Sequence, residues 1–185
     1  MNARRSDTRE RIQQVALELF AEQGYEKTSL REVAERLEIT RPALYYHFKA
    51  KEDILASVLD DLNGSMDELM EWALAQPHTA EARQGILRRI AALLNDQWRP
   101  LIKFAQVNQA VMSELPPGEE MRHRMMTMIS VLTTPEDGLI EQFEARLAVV
   151  ALILGSIPFL FGLDVPDEER TATALTVATK LISGR

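Results

Sequence analysis

Apolar residues recur along the chain at the three-and-four spacing of a helix, and no run shows convincing apolar/polar alternation. The first stripe is Ile12, Val15, Ala16, Leu19 and Phe20, closed by Gly24 in the left-handed position that ends many helices. Ser29 followed by Glu32 is a capping box that opens a second, short helix with Leu30, Val33, Ala34 and Leu37 inward. After Glu38-Ile39, Thr40 caps a third short helix. Its first turn tolerates Pro42 because the N–H groups there lack intrahelical partners. Leu44 and Phe48 are its inward residues. A long amphipathic helix follows over 52–76, with Asn63-Gly64 as a weak point in its middle. Pro77, Pro100, Pro116-Pro117, Pro135 and Pro166 divide the rest into helices expected at about 79–97, 101–113, 118–132, 136–162 and 167–183. Thr134-Pro135 and Asp164-Val165-Pro166 are the start signals of the last two. The pattern thus predicts an all-α chain of about nine helices.

Composition narrows this picture. At 185 residues, 46% apolar and 26% charged, the chain is long enough for a substantial core and is not of the disordered class. The absence of cysteine excludes disulfides, a Cys-based zinc site and a thiol nucleophile, and fits a cytoplasmic protein. The four arginines before residue 12 precede no apolar stretch, so a secretory signal is not expected. Residues 147–163 carry no charge, but the run is shorter than the roughly 20 residues of a spanning helix and is broken by Gly155, Ser156, Pro158 and Gly162. A buried bundle helix is expected there, not a membrane segment.

The net charge of −7 argues against nucleic acid until it is divided. Residues 1–51 hold ten Lys/Arg against eight Asp/Glu, whereas the remainder holds eleven against twenty. That divide separates an N-terminal domain, 1–51, from a C-terminal one, 52–185. Within the first, two short helices joined by a tight turn and braced by a preceding helix make a helix-turn-helix. Val33, Ala34, Leu37, Leu44 and Phe48 supply its small core. The outer face of the third helix offers Arg41, Tyr45, Tyr46 and His47, with Thr40 at its N-terminus and Lys49 and Lys51 just beyond. Tyr45 and Tyr46 lie about 100° apart and cannot both be buried on one face. Any one of these residues could be ordinary solvated surface. Their combination points to DNA.

The stretch Thr28-Ser29-Leu30-Arg31-Glu32-Val33-Ala34, then Thr40-Arg41-Pro42-Ala43-Leu44-Tyr45-Tyr46-His47-Phe48-Lys49 and Lys51-Glu52, closely resembles the DNA-binding segment of the TetR family of bacterial transcriptional repressors. The resemblance covers about residues 8–60. It implies a homodimer with a DNA-reading N-terminal domain and a C-terminal domain that binds a ligand and dimerises. Carried over by position, Arg41, Pro42 and Ala43 would face base edges and Arg31 a base or the adjacent backbone. Thr28, Thr40, Tyr45, Tyr46, His47 and Lys51 would contact phosphates. Arg41 is the expected specificity residue, because an arginine reaching guanine N7 and O6 discriminates sequence. Glu38 departs from the family, which has a small residue in that turn. It must take a left-handed backbone or alter the turn, and is expected to point outward.

In the C-terminal region, four of the eight methionines lie between Met121 and Met128. With the cavity that the resemblance implies, this suggests a small, largely apolar effector against Trp98, Phe104, Met112, Met125 and Met126, with Asn108 or Gln109 as a polar anchor. An ordinary core is the plainer reading of the same spacing. Glu119 and His123 stand one turn apart, but a lone pair of this kind is usually a surface interaction, and no metal or cofactor is expected. Small and apolar residues on the last two helices, Ala148, Ala151, Gly155 and Ser156 with Ala174, Leu175, Ala178, Leu181 and Ile182, predict a four-helix dimer interface. Two recognition helices could then enter successive major grooves about 34–36 Å apart. The expected function is a ligand-responsive regulator of a palindromic operator. A helical hydrolase is the main alternative, although neither Ser130 nor Ser156 has a histidine at motif spacing. An adaptor that keeps the fold without binding DNA is the other.

Overall fold

The computed structural model describes residues 2–108, 119–157 and 165–183. Among these the regular elements are nine helices: α1 (Asn2–Gln23), α2 (Leu30–Arg36), α3 (Arg41–His47), α4 (Lys51–Leu74), α5 (Ala80–Asp96), α6 (Arg99–Val107), α7 (Glu119–Ser130), α8 (Leu139–Ser156) and α9 (Asp167–Ser183). The all-α architecture with an N-terminal helix-turn-helix is therefore what the chain has. Asn63-Gly64 does not interrupt α4. Pro158 and Gly162 lie outside the described residues.

The chain forms two compact units. The first takes residues 1–63 and 100–116, and the second 64–99 and 117–185. In the first unit Ile12, Ala16, Leu19 and Phe20 of α1, Val33 and Ala34 of α2, and Leu44 and Phe48 around α3 are all buried. The α4 residues Ile54, Leu55 and Val58 complete that core with Leu101 and Phe104 of α6. Gly24, at φ +94°, turns the chain out of α1 as its position predicts. A polar link appears where the pattern gave no sign of one. Gln13 is buried, and its Nε2 donates to Ser57 Oγ at 2.9 Å and to Asp61 Oδ2 at 2.6 Å, tying α1 to α4.

In the second unit the core runs from Met66, Leu69 and Met70 through Ile86, Leu87 and Ile90 to Met128, Leu132, Val149, Leu152 and Ile182. The start of α8 falls later than Thr134-Pro135 suggests. Asp137 accepts from Thr134 N at 2.9 Å and returns its own N–H to Thr134 O at 3.1 Å, so the proline sits in a closed turn and the helix begins after Gly138. Pro166 does open α9, accepting from Arg170 N at 3.0 Å.

The small residues of α8 and α9 pack mainly against each other within the chain. Ala148, Gly155, Ala178 and Ile182 are buried within the single chain, and Ala151, Leu175 and Leu181 are half-buried against its core. A Cβ added to Gly155 would collide with that of Ala174. Small side chains here let α8 and α9 approach each other within the chain, which occupies the buried four and leaves Ala151, Leu175 and Leu181 partly exposed. Buried Arg170 seals the contact: its Nε donates to Gly155 O at 2.8 Å and its Nη2 to Asp167 Oδ1 at 2.6 Å, while Arg99 holds Asp167 Oδ2 at 2.6 Å.

Gly155→Ala is expected to lower the unfolding free energy by about 1–3 kcal/mol through overpacking. Gly64→Ala, in open space on α4, should raise it by roughly 0.5–1 kcal/mol by removing backbone freedom from the unfolded chain. Urea denaturation of both variants measures the contrast, and a neutral Gly155→Ala would remove the close-approach argument.

Candidate nucleic-acid interface

The reading head rests on two short helices that local chemistry starts and stops. At α2, Ser29 Oγ accepts from Glu32 N at 3.3 Å while Glu32 Oε2 accepts from Ser29 N at 2.7 Å, a complete capping box. Ser29 Oγ also donates to Glu32 Oε2 at 2.8 Å, and this bond, then the one from Ser29 N, holds the Glu32 carboxyl below its ordinary range. At the other end Ile39 N reaches back to Ala34 O at 3.0 Å, and Glu38 takes φ +55°, the one non-glycine residue with positive φ among those described. Its side chain is exposed, as expected. The strain that glycine would avoid is accepted in this turn.

Thr40 then caps α3, its Oγ1 accepting from Ala43 N at 3.4 Å, with Pro42 in the first turn. Leu44 and Phe48 anchor the helix to the core, and this fixes which face remains. Arg41, Pro42, Ala43, Tyr45 and Tyr46 are exposed, and His47 is half-exposed. Among the described residues no ion pair involves Arg41. Tyr46 lies edge-on to the His47 ring at 5.3 Å between centroids. Arg31, on the outer side of α2, pairs with Glu35 at 2.6 Å in full exposure. Such a solvent-screened surface pair contributes little and is easily exchanged for another anion. The Glu35 partner keeps the guanidinium firmly charged.

Two of the residues expected on phosphates, Thr28 and Lys51, make contacts within the chain. Thr28 is 3% exposed, its Oγ1 donating to Gly24 O at 2.9 Å and accepting from Gln23 Nε2 at 3.2 Å, so its hydroxyl organises the turn after α1. Lys51 Nζ donates to Tyr25 O at 2.7 Å and lies 4.3 Å from the Tyr25 ring centroid, in cation–π contact. Burial, then hydrogen bonding and charge from Glu52, push the Tyr25 phenol well above its ordinary pKa and keep it neutral. The ammonium is committed to the turn's carbonyl, with its side chain 19% exposed. Only the chemistry of the turn, invisible in residue spacing, separates these two from the outward set.

Of the expected effector residues that are described, Phe104 and Asn108 belong to the first unit and Trp98 and Met126 to the second. Phe104 is fully buried in the first unit, its ring 5.9 Å from Phe20 and 6.0 Å from Tyr25. Asn108 is buried there too, and its carboxamide is fully used by backbone groups (Tyr25 N, Phe20 O and Phe104 O), which removes it as a free polar anchor. Trp98 is half-buried against the core of the second unit, and its Nε1 has no hydrogen-bond partner among the described residues. Met126 is 53% exposed. Met112 and the Met125 side chain lie outside the described residues.

A braced helix-turn-helix with an exposed, arginine-bearing second helix defines a class of DNA-reading domains. Residues 12–58 match the family described as "Bacterial regulatory proteins, tetR family". The chain is 41% identical over 63 residues to the HTH-type transcriptional regulator AcrR of Shigella flexneri, covering 34% of this chain and 29% of that protein. It is 37% identical over 82 residues to the HTH-type transcriptional repressor KstR2 of Rhodococcus jostii, covering 42% and 40%. Across 95% of this chain and 99% of the other, it shares the fold of a transcriptional regulator from Aquifex aeolicus at a TM-score of 0.61 and 18% identity. The family match is thus carried by the N-terminal segment, and the solved structure shows a shared fold. It spans well under two thirds of those two relatives' lengths.

Lys51→Met is expected to lower stability by about 1–2 kcal/mol through loss of the charged hydrogen bond and the cation–π contact. It should leave the dependence of DNA affinity on salt unchanged. A lysine that neutralised one phosphate would instead lower the slope of log K against log salt by about 1. Binding titrations at several salt concentrations decide between the two roles.

Proposed function

We propose that this protein is a transcriptional regulator, a repressor in its effect, that reads a palindromic operator as a homodimer and answers to a small, largely apolar effector. The observation that carries the reading is the outward face of α3, where Arg41 stands exposed at the capped N-terminus while Leu44 and Phe48 hold the helix from beneath. In this reading Arg41 discriminates bases, Pro42 and Ala43 touch methyl groups, and Arg31 leaves Glu35 for a base or the neighbouring backbone. Thr40, Tyr45, Tyr46 and His47 fix register on phosphates. Residues 1–51 carry the reading and 52–185 the effector response and dimerisation. All the relatives named above are transcriptional regulators by name, which also favours regulation over catalysis. No helix of the described residues is long and apolar enough to cross a membrane.

The second copy is proposed to cover the outer row of α8, because the inner row is already used. Ile140, Phe143, Leu147 and Val150 are exposed at helical spacing, and Val177 of α9 is exposed as well. Exposed large apolar side chains in one stripe mark an interaction surface more often than solvent-facing helix. Trp98 remains the effector contact with support, since its buried indole N–H lacks an acceptor among the described residues.

Fluorescence anisotropy with the DNA upstream of the protein's own gene tests the reading. Arg41→Ala is expected to weaken that binding by about 1–3 kcal/mol while leaving random duplex unaffected. Equal affinity for both duplexes in the unaltered chain would overturn the proposal. Small apolar compounds added to the same titration should shift the curve, and a broad set that leaves it unmoved counts against effector control. Phe143→Asp should turn a dimer into a monomer by sedimentation velocity. A dimer that survives this change places the interface elsewhere.

A further inference from the structure

Asn108 follows directly after α6 and is buried. Its carboxamide joins three backbone groups. Oδ1 accepts from Tyr25 N at 2.7 Å, and Nδ2 donates to Phe20 O at 2.9 Å and Phe104 O at 3.0 Å. Two of the three lie at the end of α1 and in the turn beyond it, far away in sequence. The rings of Phe20, Tyr25 and Phe104 pack edge to face around this junction, with centroids 4.9–6.0 Å apart. The Tyr25 peptide is thus gripped on both sides, its N–H by Asn108 and its carbonyl by Lys51. Three residues further on, Thr28 closes the turn and Ser29 caps α2.

We propose that Asn108 is a positioning residue for DNA reading: it fixes the turn from which α2 and α3 are suspended and joins α6 to them as one body. The inference rests on the DNA-binding function proposed above. Only a side chain with one acceptor and two donors at this reach satisfies all three groups. Aspartate lacks the donors, and leucine would leave a buried N–H and two buried carbonyls without these bonds. Position matters more for specific than for general binding. Base-edge contacts need α3 held in register, whereas phosphate attraction depends mainly on charge. Asn108 therefore bears on selectivity without touching DNA.

The test uses the full chain carrying Asn108→Ala or Asn108→Gln, at a temperature where helical circular dichroism equals that of the unaltered protein. Amide exchange is read at Tyr25 and through α2 and α3. Affinity is read against upstream and random duplex at one salt concentration. Asn108→Ala should speed exchange at Tyr25 about tenfold or more, the effect of losing a buried hydrogen-bond partner. Specific affinity should fall by about the same factor, with affinity for random duplex unchanged. Asn108→Gln keeps the chemistry on a longer stem; it should fold and show a smaller loss of the specific-to-random ratio, and it decides the matter if Asn108→Ala does not fold. A folded variant with an unchanged ratio, or unchanged exchange at Tyr25, overturns the proposal alone. An unaltered chain that does not prefer its upstream DNA overturns the functional reading, and this proposal with it.

Discussion

A seven-residue helix has almost no stability of its own in water, because nucleation consumes more order than so few hydrogen bonds return. α3 exists because Leu44 and Phe48 are buried beneath it and Thr40 satisfies its first turn. That dependence determines everything the reading head can present. The same side chains that hold α3 also orient it, so Arg41 and the tyrosines face outward as a consequence of packing. α2 is subject to the same constraint and meets it with a full capping box and two buried residues.

The turn between α1 and α2 carries more of this burden than its length suggests. Gly24 supplies a left-handed backbone, Thr28 closes the loop through its hydroxyl, and Lys51 and Asn108 hold the Tyr25 peptide from opposite sides. Charge that would ordinarily be counted toward a basic surface is here turned inward. The surface around α2 and α3 is consequently less cationic than its composition implies.

Local signals in the sequence were the readable ones. Ser29 with Glu32, Gly24 and Pro166 each act within a few residues, and each stands where its chemistry indicates. The start of α8 was misread because Asp137 folds Pro135 into a turn, an interaction the Thr-Pro signal does not contain. At the candidate site the outward α3 residues were legible from periodicity, since two inward anchors leave only one face. Thr28 and Lys51 were not, because their partners are backbone carbonyls that no residue pattern displays. Asn108 looked like a ligand anchor for the same reason: a polar side chain among apolar ones announces a need for partners, not where they are.

The close approach at Gly155 reaches beyond the pair of helices it joins. With Arg170 locking the Gly155 carbonyl and Ala174 filling the space beside it, α8 is braced along its inner edge before any second molecule arrives. Under the proposed dimer, the outward row from Ile140 to Val150 would be a preformed template whose spacing is inherited from inside one chain. Its ordering cost is met during folding, so association would begin from a rigid surface, and a missing methyl group on the hidden side would govern the alignment of the visible one.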